Sequence, residues 1–124
     1  MGRIIHFELP ADNPERAIAF YKSVFDWSAH KWEGGEMPYW LVSTGPKEQP
    51  GIDGAIMPRH HPGQGTSNVV QVDSLDQAME AVKQHGGQVL TPKIPIPGIG
   101  QYANCLDTEG NRFGIMQPEA AVVG

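Results

Sequence analysis

Ile4-Ile5-His6-Phe7-Glu8-Leu9, then Pro10 to Arg16, then Ala17-Ile18-Ala19-Phe20-Tyr21-Lys22-Ser23-Val24-Phe25-Asp26-Trp27, is the stretch whose reading decides the fold. Its first six residues alternate as a half-buried strand does, with Ile5, Phe7 and Leu9 on one face and His6 and Glu8 on the other. Asn13 suits a helix N-cap, Pro14 the first helical position, and Glu15 the positive end of the helix dipole. Behind them Ala17, Ile18, Tyr21, Val24 and Phe25 recur at helical spacing and predict one apolar stripe. A strand with an apolar face thus runs into a helix with an apolar face. The two can cover each other, which leaves His6 and Glu8 pointing away from that core.

Working outward, Ser28 to Glu33, Tyr39 to Thr44 and Ile52 to Met57 predict three further strands, separated by Gly34-Gly35, Gly45-Pro46 and Pro50-Gly51. Residues 59–65, rich in proline and glycine, read as a linker. The opening plan then recurs. Ser67 to Val72 is a strand, Ser74 and Gln77 form a capping box, and Leu75, Ala78, Met79 and Val82 make the next stripe. His85-Gly86-Gly87 ends that helix. Gln88 to Thr91 begins a strand, Pro92 to Pro97 breaks it, and Gly100–Leu106 with Asn111–Gln117 predicts a hairpin. The expected class is α+β, with strand-helix-three strands twice in one domain spanning 1–124: a first module at about 1–58 and a second at about 66–118. Neither half has enough surface to cover its own sheet, so the two are expected to pack together.

The bulk properties narrow the function. A chain of 124 residues is long enough to bury a core. A formal net charge of −5 argues against nucleic acid, which needs a concentrated basic surface. No apolar run approaches the roughly 20 residues that span a bilayer, and the N-terminus has no signal-peptide core. The one cysteine, Cys105, has no internal disulfide partner, which fits a reducing cytoplasm. A cytoplasmic protein is expected, with no membrane contact.

Three segments carry a resemblance. They are His6 through Asn13-x-x-Arg16-Ala17-x-x-Phe20-Tyr21 with Phe25-Asp26-Trp27; Val72-Asp73-x-x-x-x-Ala78 with Gly86-Gly87; and Asp107-x-x-Gly110-Asn111-x-Phe113. In these the chain resembles the vicinal oxygen chelate superfamily, which includes glyoxalase I, extradiol dioxygenases and bleomycin- and fosfomycin-resistance proteins. The resemblance implies paired βαβββ modules whose mixed sheet curls into a cup with the helices outside, usually in a homodimer.

In metal-dependent members the resemblance implies a divalent ion in the cup, where it polarises neighbouring substrate oxygens. His6 matches the first-strand ligand, fourteen residues before Phe20. The second-module counterpart falls on Ser67 and the last-strand ligand on Gly114, which has no side chain. Asp53 is the carboxylate of the first module's last strand. At most two of four ligands survive, fewer than the three of a catalytic zinc site. No cofactor is therefore expected, with a divalent metal as the alternative. His60-His61, in a Pro-Gly loop, reads as a solvated pair.

Small-molecule binding is the expected function, because the cup-facing positions mix apolar walls with convergent polar groups. His6 and Glu8 are the candidate catalytic residues. A desolvated Glu8 beside His6 has the makings of a base near neutral pH, and a structural Glu-His pair or a Glu8–Arg112 salt bridge is the alternative. Ser67, Gln71, Arg112 and Met116 are candidate ligand contacts. Trp40 and Tyr102 are candidates to close the mouth of the pocket, with core or dimer contact as the other reading. Pro95 to Gly100 is expected to be a shaped loop on its border. Cys105 reads as a small buried hydrophobe. Two classes stay open: a binding protein without a complete metal site, and a lyase or isomerase like glyoxalase I, or a dioxygenase-type metalloenzyme.

Overall fold

The computed structural model describes residues 2–35 and 37–119, which form two compact units, one of His6–Thr66 and one of residues 2–5 with 67–119. The first unit holds most of β1 (Arg3–Ala11), then α1 (Pro14–Phe25), β2 (Ser28–Lys31), β3 (Trp40–Ser43) and β4 (Asp53–Pro58). Its strands lie in the order β2-β3-β4-β1. The β2–β3 and β3–β4 pairs are antiparallel, whereas β4 runs parallel to β1, with Phe7 opposite Gly54 and Leu9 opposite Ile56.

Local chemistry starts α1 where the sequence predicts. The Asn13 side chain accepts from the Arg16 amide at 3.1 Å, and Pro14 takes the first turn. The helix ends at Asp26, which adopts the left-handed conformation at φ 62° and donates its amide to the Lys22 carbonyl. Below the helix, Ala11, Val42 and Ile56 are buried with Leu9, Ala17, Ile18 and Tyr21 against them. Val24 and Phe25, expected on the buried stripe, are instead exposed at 54% and 58%. Trp27 takes their place: its indole stacks on Tyr21 at 4.7 Å and lies 5.8 Å from the Phe7 ring.

The segment after β4 is tied down by Arg59. Its amide donates to the Ala11 carbonyl at 3.0 Å, and its guanidinium pairs with Asp12 at 3.0 Å and donates to the Pro10 and Gln64 carbonyls.

The second unit repeats the plan with β5 (Ser67–Gln71), α2 (Leu75–Gln84), β6 (Gln88–Val89), β7 (Ile94–Ile96), β8 (Gly100–Leu106) and β9 (Arg112–Pro118). β5 runs parallel to β9, and β9 antiparallel to β8. β6 and β7 both pair with β8, as two pieces of one edge. At the break between them the Thr91 hydroxyl accepts from the Asn104 amide at 3.0 Å, in place of a strand carbonyl. Ser74 caps α2, accepting from the Gln77 amide at 3.2 Å, and Gly86 adopts φ 92° after it. Leu75, Ala103, Cys105 and Ile115 form the core, with Val70, Val72, Ala78, Met79, Val82 and Phe113 around them.

Two expectations for this unit need correcting. The proline-rich segment is not wholly a loop: Ile94–Ile96 is a strand, because an edge strand leaves one row of amides unpaired and so tolerates Pro95. The predicted loop shrinks to a tight turn, with the Ile99 amide donating to the Ile96 carbonyl at 3.0 Å.

Both units thus have the α+β composition and the strand-helix-strands plan expected. No helix among the described residues is long and apolar enough to cross a membrane.

Candidate functional site

The β1 register decides which side chains share the face opposite α1. Leu9 belongs to the core beneath the helix, so His6 and Glu8, out of phase with it, lie on the other side of the sheet. Asp53 is the register partner of His6, and Ala55 that of Glu8. Tyr39, just before β3, brings its phenol between the first two. His6 Nε2 lies 3.0 Å from the Tyr39 hydroxyl, and that hydroxyl donates to Glu8 Oε2 at 3.2 Å. A phenol has one proton to give. With that proton on the carboxylate, the phenol oxygen accepts from His6 Nε2–H, so Nδ1 is the imidazole's acceptor.

Burial favours the neutral form of this histidine. Burial lowers its pKa below the ordinary 6.5, with the Glu8 and Asp53 carboxylates opposing that shift. Asp53 is engaged elsewhere as well: its Oδ1 accepts from the Thr44 amide at 2.9 Å and from the Thr44 hydroxyl at 3.3 Å. The arrangement can bind an oxygen-bearing ligand and move a proton at the imidazole.

The other predicted residues divide between two faces and two units. Trp40 is not on the face of His6. It pairs with Ile56 across the β3–β4 ladder, which puts it on the α1 side, where Lys31 Nζ lies 5.7 Å from its ring. β3 begins at Trp40 rather than at Tyr39, and the buried Val42 sets its phase. Tyr39, which sequence reasoning passed over, is the aromatic beside His6 and Glu8. The readable signal was its place directly before the strand, out of phase with Val42.

Ser67, Gln71, Arg112, Met116 and Tyr102 belong to the second unit and occupy its strand face opposite α2, since Val70, Phe113 and Ile115 take the helix side. There the Ser67 hydroxyl donates to the Arg112 carbonyl at 3.4 Å, and the Tyr102 hydroxyl to Asn104 Oδ1 at 2.9 Å.

Among the described residues no three His, Cys, Asp or Glu side chains come together as ligands for an ion. Tyr39 already engages His6 Nε2 and a Glu8 oxygen.

The model of the glyoxalase/bleomycin resistance protein/dioxygenase superfamily matches residues 3–115. The chain belongs to that superfamily. It is 30% identical over 118 residues to a glyoxylase-like domain-containing protein of Didymella fabae, covering 92% of each chain. It is 29% identical over 122 residues to "Putative glyoxylase CFP32" of Mycobacterium bovis, covering 94% of this chain and 44% of that one. The chain thus spans under half the length of this second relative. Among solved structures, Streptomyces coelicolor methylmalonyl-CoA epimerase in complex with 2-nitronate-propionyl-CoA shares its fold at a TM-score of 0.71, with 12% identity and 98% of both chains covered.

Proposed function

We propose that the strand face carrying His6, Tyr39 and Glu8 binds a small oxygen-bearing metabolite without a complete resident metal site. The observation that supports this is the phenol bridge. It ties His6 Nε2 and one Glu8 oxygen into hydrogen bonds, and it leaves the imidazole with an acceptor nitrogen on a half-buried face. Such convergent polar groups on a partly apolar wall, here with Leu41 and Ala55 beside them, suit a small ligand. Ser67, Gln71, Tyr102, Arg112 and Met116 are assigned to ligand contact on the second unit's own face. A cytoplasmic homodimer belongs to the same reading, which rests on the family and on the single, buried Cys105. A thermal-shift screen of small carbonyl and hydroxy-acid metabolites tests it, because a ligand of the folded state raises its melting temperature. A hit is expected to be lost in His6→Ala; stoichiometric metal in protein purified without chelator would overturn the metal-free part.

The neutral imidazole supports a second reading, that of an isomerase-type proton transfer. His6 Nδ1 would take a proton from carbon next to a substrate carbonyl. The Nε2 proton would pass toward the Tyr39 oxygen as the phenol proton passes to Glu8. The fold shared with an epimerase is compatible with this and does not assign a substrate. Wild-type protein is expected to exchange the α-proton of a bound carbonyl compound for solvent deuterium, and Tyr39→Phe to slow that exchange at least tenfold. Equal exchange in the two would remove the relay.

A further inference from the structure

We propose that Trp32 is a positioning residue for Tyr39, so that the site depends on the indole packed against the phenol. The inference rests on the reading of His6, Tyr39 and Glu8 as a functional site. Tyr39 lies outside the β2 and β3 ladders, so strand pairing does not fix its ring. Trp32 fixes it in two ways. Its amide donates to the Tyr39 carbonyl at 2.8 Å, which closes the two strands on each other. Its ring meets the phenol ring edge-on, with centroids 6.0 Å apart and planes at 69°.

The indole is itself held by the absence of side chains next to it. A Cβ added at Gly34 would stand 2.5 Å from Trp32 Cζ2 and 2.7 Å from Cε2, and one at Gly35 would stand 3.1 Å from Cζ3. The two glycines that read in the sequence as a simple turn therefore have a second role: they leave the bed in which the indole lies. The chain of contact runs from Gly34 and Gly35 to Trp32, to Tyr39, and so to His6 and Glu8. A ring held on one side by packing and on the other by two hydrogen bonds has one orientation, and the imidazole tautomer follows from it.

The test is the 15N spectrum of the His6 imidazole in the intact chain. Tyr39→Phe is expected to move the ring from one dominant Nε2–H tautomer toward a mixture, bringing the two nitrogen shifts closer together. Trp32→Ala is expected to reproduce at least half of that change, Trp32→Phe to restore most of the wild-type pattern, and the Trp32→Ala/Tyr39→Phe double variant to match Tyr39→Phe alone. Gly34→Ala displaces the indole while keeping it, and is expected to act like Trp32→Ala; it carries the test should Trp32→Ala not fold. Wild-type His6 signals in Trp32→Ala or in Gly34→Ala, or effects of Trp32→Ala and Tyr39→Phe that simply add, would overturn the proposal. The spectrum reports the coupling whether or not a ligand binds, so an empty ligand screen beside intact coupling sinks the functional reading and leaves this one standing.

Discussion

The phenol ring of Tyr102 lies where a side chain at Gly114 would begin: a Cβ built on that glycine stands 2.6 Å from the ring's Cε2 and Cζ. The ring reaches diagonally across the β8–β9 ladder, since Tyr102 pairs with Met116 and Asn104 with Gly114. Position 114 is where the superfamily resemblance asks for a metal ligand. The space a side chain at 114 would take is already filled by the Tyr102 ring, so the glycine and the tyrosine form one arrangement.

Gly114→Ala is accordingly expected to destabilise the fold by about 1–3 kcal/mol, the usual cost of overpacking. In a Tyr102→Ala background the same change is expected to cost much less, because its neighbour is gone. Urea unfolding of the four proteins gives the coupling energy directly.

Stability should respond to acid through His6. The folded protein holds this imidazole below its ordinary value of 6.5, so between the lowered value and 6.5 the unfolded chain binds more protons. Stability therefore rises with pH through that window and is lost as pH falls through it. Melting temperatures measured from about pH 5 to 8 are expected to show the slope in wild type and a flatter one in His6→Gln.

The two helix starts are separable. Asn13→Ala and Ser74→Ala each remove a side-chain acceptor from a first-turn amide, and each is expected to cost about 1 kcal/mol. Asn13→Asp and Ser74→Asp are expected to restore most of that. Chemical denaturation of the single and paired variants, with the losses adding, checks both helices at once.

Leu75 is fully buried at the start of α2. Leu75→Ala is expected to cost about 2–5 kcal/mol, the range for emptying a well-packed aliphatic site. Calorimetry or urea unfolding reads it, and a loss below 1 kcal/mol would mean that the second core is not packed as described.

What the sequence made legible follows from what is local. The Asn13 and Ser74 caps, the Leu75 to Val82 stripe and the β8–β9 hairpin each depend on residues within a few positions of one another, and each is where the pattern puts it. Tyr39 rather than Trp40 shares the face of His6 because neighbouring strand residues point to opposite sides, and which side meets the helix is set by the pairing of Trp40 with Ile56, a contact far away in sequence. Val24 and Phe25 kept helical spacing yet stayed exposed, since Trp27, outside the helix, covers the sheet there by stacking on Tyr21. The His6–Tyr39–Glu8 bridge joins residues 31 and 33 positions apart, a closeness that no periodicity encodes.

The amide of Leu75 donates at 2.8 Å to the side-chain oxygen of Gln117, 42 residues further on. During synthesis, α2 therefore leaves the ribosome long before the group that satisfies its first turn. The His6–Thr66 unit has every one of its strands in hand once Pro58 has emerged. A nascent chain halted within β9 would expose an open helix start above an incomplete sheet, the kind of surface that chaperones hold and proteases find.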